Sequence, residues 1–311
     1  MSLLNGLSID VEDYFQVEAF SSVISPASWS NYPFRAEKNT RKILDILDQY
    51  GVKATFFCLG WVAKKAPSLI RDISYRGHEV ASHGYMHRAI YKQSPKEFSD
   101  DVERSKKLLE DITGKRVLGY RAPTYSVTKK TLWALEILID QGFLYDSSIF
   151  PVHHDLYGIV EAPRFPFWID KEHIQKIKSG NWPIYFKDFK GYSRIANLFK
   201  QGKRGLIEFP ITTFRYLNIN IPIAGGGYFR LLPIKISTWA LSKINKSENM
   251  PFLFYIHPWE FDPEQPRIKG CPFKSRFRHY LNLNKTQKRF KILLENFDFA
   301  PISKVLGLDD C

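Results

Sequence analysis

Two histidines four positions apart, His83 and His87, stand in the run Ser82-His83-Gly84-Tyr85-Met86-His87. Four positions is about one helical turn, so both imidazoles can face one point. Neutral imidazole is the commonest protein ligand for zinc and suits related divalent ions. Gly84 stands where the zincin pattern His-Glu-x-x-His has its glutamate, so a base has to come from another segment. Asp10, Glu12 and Asp13 offer one. They are three carboxylates within four residues at the end of the apolar run Leu7-Ser8-Ile9, and such acids repel each other unless a cation or an arginine sits among them. Phe252–Ile256 is almost wholly apolar and ends in His257, so a buried strand hands a titratable group to a sheet edge.

The elements that must position these residues alternate along the chain. Amphipathic or capped helices are expected at Arg35–Tyr50 (closed by Gly51), Ala66–Tyr75, Pro95–Ile112, Leu132–Gln141, Leu232–Lys246 and Lys285–Asn296. Strands are expected at Leu7–Asp13, Ala54–Leu59, His78–Ala81, Gly119–Arg121, Phe143–Asp146, Gly205–Thr212 and Phe252–His257. Alternation of this kind implies an α/β fold with a parallel sheet or barrel, whose sites lie at the strand C-terminal ends. No linker-like stretch or internal repeat divides the chain, so residues 1–311 read as one domain with a helical extension at about 275–311.

Composition narrows the function classes. The formal charge is +13, and Lys171–Arg204 carries nine Lys/Arg against Glu172 and Asp188. That excess favours an anionic partner, but no zinc-finger spacing or long Arg-rich block accompanies it, so nucleic acid is the weakest candidate. No run of eighteen apolar residues and no signal-peptide pattern is present, which gives the expectation of a cytoplasmic protein, in solution or peripheral at the inner membrane face. Cys58, Cys271 and Cys311 are too few and too dispersed for a disulfide framework. His153-His154-Asp155 is a polar loop cluster, and Gly225-Gly226-Gly227 lacks the Gly-Lys-Ser/Thr of a phosphate loop and reads as a turn.

Taken in order, the strand-end residues resemble the NodB-homology polysaccharide deacetylases, carbohydrate esterase family 4, over about Leu7–Pro258. Ser8-Ile9-Asp10 with its following acids resembles that family's Thr-Phe-Asp-Asp-Gly. His83 and His87 match His-(Ser/Thr)-x-x-His, and Arg121-Ala122-Pro123 matches Arg-x-Pro-Tyr, with Thr124 before Tyr125. Asp146 matches Asp-x-x-x-x-Trp without the tryptophan, and Tyr255-Ile256-His257 matches Leu-x-His with Tyr for Leu. Longer phrases, Asp10–Phe15, Lys53–Phe57, Tyr120–Pro123 and Gly225–Pro233, resemble a branch tied to bacterial exopolysaccharide biosynthesis.

The resemblance implies a distorted (β/α)7 barrel and one divalent metal ion, most often zinc, with cobalt, nickel or manganese accepted. It implies removal of N-acetyl groups from amino sugars of a bacterial surface glycan or its lipid- or nucleotide-linked precursor. Rival readings are an O-deacetylase or deformylase on the same scaffold, or an inactive glycan-binding module. On this reading Asp10 is the general base, held ionised by Arg121, and His257 is the acid, its charged form favoured by Asp146. A backbone N–H near Thr124–Tyr125 joins the oxyanion hole, and Phe150 or Trp259 walls the acetyl pocket. Strand alternation puts Asp10 and Glu12 on one face and favours Glu12 as the metal carboxylate. A strand ending at Val11 would bring in Asp13 instead, the residue type the family uses. Asp13 is taken as the ligand beside His83 and His87, with Glu12 as its rival.

Overall fold

Apolar β-branched and aromatic runs set the sheet. In the computed structural model, which describes residues 3–182 and 197–308, β1 (Asn5–Val11), β2 (Thr55–Cys58), β3 (Glu79–Ser82), β4 (Gly119–Tyr120), β5 (Tyr145–Asp146), β6 (Phe167–Ile169) and β7 (Leu206–Glu208) belong to one sheet. The same sheet includes β10 (Leu253–Ile256) and β11 (Phe299–Ala300). A separate hairpin is formed by β8 (Thr213–Tyr216) and β9 (Ile219–Pro222). Strands β10, β1, β2, β3, β4, β5 and β7 run parallel in that spatial order, and β6 adds antiparallel to β7 at the far edge. Seven parallel strands curled in this way form a distorted (β/α)7 barrel. Among the described residues the pairing order has two ends, β10 and β6, and no strand hydrogen bonds join them.

Helices cover the outer face: α1 (Ala36–Gln49), α2 (Gly60–Lys65), α3 (Pro67–Tyr75), α4 (Pro95–Thr113), α5 (Trp133–Asp140), α6 (Lys171–Lys178), α7 (Gly226–Leu231), α8 (Ile234–Lys243), α9 (Phe273–Tyr280), α10 (Leu283–Asn296) and α11 (Ile302–Val305). α4 shows how local chemistry sets a boundary. Ser94 and Glu97 form a reciprocal capping box, Pro95 occupies the first turn, and Gly114 ends the helix in the left-handed region. β1 is buried on both faces, as a central parallel strand must be.

The expected helices recur within a few residues, with one difference in kind. Leu232–Lys246 is not one helix, because Pro233 starts α8 afresh and a π-turn at Ile244–Glu248 ends it. β7 stops at Glu208, ahead of Pro210, which has no N–H to give a ladder. α2, α6, α9 and the β8–β9 hairpin are additional elements. The region from 275 onward is not purely helical, since β11 pairs with Asn5 and Gly6 of β1. Of the basic stretch Lys171–Arg204, residues 183–196 lie outside the described residues.

The glycine run is a close backbone approach. Gly225 bridges Tyr255 at the open edge of β10, and a Cβ on Gly225 would lie 2.1 Å from the Tyr255 carbonyl oxygen. Only glycine lets this segment cover that edge.

His78, just before β3, is buried, and its Nδ1 accepts from the Ala54 N–H at 3.2 Å. Burial, with Lys53 nearby, pushes its imidazole down to about 4. The unfolded chain therefore binds this proton below about pH 6.5 and the folded chain only near pH 4, so stability is lost as pH falls through that window. Chemical denaturation at pH 7 and pH 5 is expected to show His78→Asn losing about 2 kcal/mol less than the wild type between the two. An equal loss would remove His78 as the source.

Candidate active site

The functional side chains singled out above lie at or just beyond the C-terminal ends of parallel strands, with Asp10 inside β1 and Asp146 closing β5. Glu12 follows β1, His83 follows β3, Arg121 follows β4, and His257 follows β10. The sheet's twist brings these ends to one rim.

Asp10 and Glu12 share a face of the β1 extension and are both buried. The Glu12 N–H turns back to the Asp10 carbonyl at 3.0 Å, which fixes the extension beyond Val11. Glu12 Oε2 lies 2.7 Å from His87 Nε2. His83 donates its Nδ1–H to the Arg121 carbonyl at 2.8 Å, which leaves Nε2 with its lone pair. Ligand atoms of Glu12, His83 and His87 all lie within 4.8 Å of one another. Asp13, taken as the ligand in the sequence reading, is turned away. Its Oδ2 accepts the N–H groups of Arg35 at 2.6 Å and Ala36 at 2.8 Å, and its Oδ1 accepts that of Tyr14. It caps the N-terminus of α1, where free N–H groups and the helix dipole favour a carboxylate. Burial pushes Asp13 up to about 6, against the pull of those three N–H groups.

The histidine loop is held by its backbone. Gly84 has φ +70° and His87 φ +50°. A Cβ on Gly84 would sit 2.9 Å from an Asp101 carboxylate oxygen, which accepts the Tyr85 N–H at 2.7 Å. Ser105 donates to the Gly84 carbonyl, and Gly60 and Trp61 of α2 donate to the carbonyls of Gly84 and Tyr85. Burial lowers the His83 imidazole to about 4, so it stays neutral near pH 7.

Arg121 is fully buried. It donates to Asp10 Oδ1 at 2.6 Å, Ser8 Oγ at 2.8 Å, and the carbonyl and hydroxyl of Ser147 at 3.1 and 2.9 Å. After it, Thr124 and Tyr125 both adopt positive φ, +59° and +51°. Neither is glycine, so this backbone is strained. The expected oxyanion donor narrows here. The Tyr125 N–H is spent on the Ala122 carbonyl at 3.0 Å, which leaves the Thr124 N–H as the candidate of the two.

His257 has a different partner from the one expected. Its Nδ1–H donates to Glu260 Oε1 at 2.7 Å, and Glu260 Oε2 accepts from Arg230 Nε at 2.6 Å. Its Nε2 lies 3.8 Å from Asp10 and 3.7 Å from Glu12. Burial alone pushes this imidazole down. The Glu260 hydrogen bond and the Glu12 and Asp10 charges outweigh it and raise the group to about 9. Asp146 plays no part in that pairing. It accepts from Ser148 Oγ at 2.5 Å, and Ser148 Oγ in turn accepts the Ala122 N–H at 2.7 Å. Asp146 therefore shapes the Arg121–Tyr125 turn from behind. Burial raises both Asp146 and its neighbour Glu208, and the Asp146 charge pushes Glu208 further up, so the pair retains a proton.

Trp259 differs from expectation too. Its indole N–H donates to Glu12 Oε1 at 3.1 Å while its ring stacks between His257 and His279. It orients the carboxylate rather than walling a pocket. Phe150 is buried and stacks on Tyr157, which meets Tyr125 edge to face. His153 and His154 form no metal cluster among the described residues, and the His154 ring stacks on Tyr157 at 3.8 Å. Glu260, Arg230 and Glu208 were not singled out by the sequence reading. The spacing His257-x-x-Glu260 is the only signal that would have found the first of them.

The fold and the site define a (β/α)-barrel protein with a His-His-carboxylate cluster at its C-terminal rim. Residues 29–138 match the polysaccharide deacetylase family, and residues 179–307 match a domain of unknown function, DUF3473. Over residues 29–138, about a third of its length, the chain carries a polysaccharide deacetylase domain of the NodB-homology type. It is 35% identical over 118 residues to a peptidoglycan deacetylase-like protein of Gibberella zeae, covering 37% of this chain and 34% of that one. It is 32% identical over 131 residues to a peptidoglycan deacetylase of Helicobacter pylori, covering 42% and 43%. These matches span less than half the length of the curated relatives. A Mycobacterium smegmatis structure assigned as a polysaccharide deacetylase superposes with TM-score 0.57 at 17% identity, covering 98% of this chain and 89% of that one. The structure of Puue allantoinase superposes at 0.53 with 15% identity, covering 97% and 88%, which shows the fold alone.

The two carboxylates separate by experiment. Asp13→Ala is expected to lower stability by about 1–2 kcal/mol, the scale of a lost helix cap, and to leave divalent metal binding intact. Glu12→Ala is expected to weaken zinc binding by about tenfold or more in titration calorimetry. Loss of binding in Asp13→Ala with retention in Glu12→Ala would reverse the assignment.

Proposed function

We propose that the protein is a metal-dependent hydrolase that removes N-acetyl groups from amino sugars of a bacterial surface glycan or its precursor. The observation that carries the reading is the convergence, on one buried rim, of Glu12, His83 and His87 with a carboxylate held by arginine and a cationic histidine.

The residues fit a divalent ion. Glu12 Oε2 finds no hydrogen-bond donor in good geometry, although it lies 2.7 Å from His87 Nε2. A buried carboxylate oxygen without a donor, at that separation from an imidazole nitrogen, is what a shared cation satisfies. Two imidazoles and one carboxylate form a donor set that suits zinc. A bound divalent ion lowers the pKa of water and polarises the acetyl carbonyl.

The chain's own residues do the rest. Asp10, paired with Arg121, takes the proton of the attacking water. The Thr124 N–H donates to the oxygen on which negative charge develops. His257, held protonated by Glu260, gives its Nε2 proton to the departing amine. Trp259 and the Arg121 carbonyl fix Glu12 and His83 so that little reorganisation is required at the moment of reaction. The names of the curated relatives support N-acetylated cell-wall sugars as the substrate class.

The test is mass spectrometry of N-acetylated oligosaccharides and sugar precursors incubated with purified protein. Wild type is expected to remove acetyl groups, to stop after chelation, and to recover when zinc is restored. Asp10→Asn and His257→Ala are each expected to lose about 10²–10⁴-fold in turnover while keeping metal. Near-native turnover in either variant would take that residue out of its role.

A further inference from the structure

The chain contains no Asp or Glu from residue 209 to residue 247, a run of thirty-nine residues that includes Arg215, Arg230, Lys235, Lys243 and Lys246. The acids that bracket it are withdrawn from the surface field, since Glu208 is buried and Glu248 is paired with Arg164 at 2.6 Å. The run includes the β8–β9 hairpin and α8.

The hairpin exposes apolar side chains where polar ones are expected. In its register Phe214 pairs with Ile221 and Tyr216 with Ile219, so these four share one face. Tyr216 is 56% exposed, Ile219 65%, and Leu217 at the tip 78%. Leu217 and Asn218 form a two-residue turn with φ +45° and +63°, a geometry that favours Asn or Gly over leucine. The turn tolerates a poor residue in order to present an apolar tip. The same face continues onto α8, because Phe214 packs edge-on against Trp239 at 5.2 Å and Trp239 is itself half exposed. Ile236 is exposed on α8, with Lys235 and Lys243 four residues either side of Trp239.

We propose that this ridge docks the protein on an anionic phospholipid surface. An apolar tip inserts among acyl chains, tyrosine and tryptophan sit at the headgroup level, and flanking cations meet negative headgroups. Acid-free composition over the whole run matches that partner, because a carboxylate on the ridge would be repelled. The hairpin also reaches the catalytic rim. Asn220 donates to the Pro151 carbonyl at 2.8 Å, in the loop that carries Phe150 and Tyr157. Docking would thus set the mouth of the site beside the membrane. The inference does not depend on the reaction, since binding is read without turnover.

The experiment is co-sedimentation of the full chain with vesicles of phosphatidylglycerol and phosphatidylcholine in equal parts, and with phosphatidylcholine alone. Wild type is expected to bind the anionic vesicles at least about tenfold more tightly, and to lose that preference as salt shortens the Debye length from about 10 Å to about 3 Å. Glu295 and Asp298 share a groove with Lys235 and Lys246, so the charge arm uses Arg215→Glu with Lys243→Glu, expected to cost about tenfold or more. Leu217→Asn is better suited to the turn and is expected to keep the hairpin while weakening binding about tenfold. Turnover of a soluble substrate should be unchanged in both variants. No binding to anionic vesicles at low salt would overturn the proposal, as would binding indifferent to Leu217→Asn. A dimer in light scattering that Leu217→Asn dissociates would overturn it as well, since the ridge would then be covered by a second copy.

Discussion

A single guanidinium holds the rim together. Arg121 is removed from water at the end of β4, and its donors reach β1 through Ser8 and Asp10 and the segment after β5 through Ser147. Its plane lies over the Phe57 ring of β2, and its carbonyl fixes the tautomer of His83. Burying such a charge costs several kcal/mol, and only good geometry with every donor engaged offsets it. Asp10 supplies the countercharge, so the group read as the base is also the group that makes the arginine tolerable there. Removing either partner leaves the other unpaired in the interior, at about 3–5 kcal/mol. Chemistry and stability are coupled at this pair.

The site is also divided along the chain in a way the family matches make visible. The segment 29–138 contributes His83, His87 and Arg121. The segment 179–307, matched to a domain of unknown function, contributes His257, Glu260, Arg230, Trp259 and His279. Asp10 in β1 and Glu12 just after it precede both. The segment without an assigned function therefore completes the site. Its Arg230 supports Glu260 while donating to the carbonyls of His279 and Leu281, so α7 and the α9–α10 connection are bound to the same acid that holds His257.

Strand periodicity was enough to expect a parallel sheet or barrel, with the seven-stranded form implied by the family resemblance, and strand-end placement singled out His83, His87, Asp10, Arg121 and His257, because a buried parallel strand leaves an unbroken apolar run that ends in polar residues. What escaped depended on where the chain turns after the strand. Glu12 and Asp13 differ by one position, and alternation pointed to Glu12, but the tight turn that the Glu12 N–H closes on the Asp10 carbonyl after β1 is not written in that pattern. Asp146 and Glu260 are both acids near a rim. No local pattern says that Glu208, sixty-two residues away, will take the first and leave the second for His257. The β8–β9 hairpin was missed because its turn is Leu-Asn rather than Asn-Gly, and its apolar side chains face outward, so neither turn chemistry nor core patterning announces it.

The placement of β1 has a kinetic consequence. This strand brings Asp10 and Glu12 to the rim, yet its neighbour β10 pairs Leu7 with Phe254, and β11 pairs Asn5 with Phe299. Contacts of such sequence separation pay loop-closure entropy early and are rewarded late, which slows folding. During synthesis β1 is made before β10 and β11 and waits for them while the intervening residues are made. It has β2 for company sooner, but one edge stays open, and an open apolar edge is a template for mispairing. The rim thus cannot be completed until β10 is made, and a nascent chain interrupted before β10 has His83 and His87 without His257 beside them.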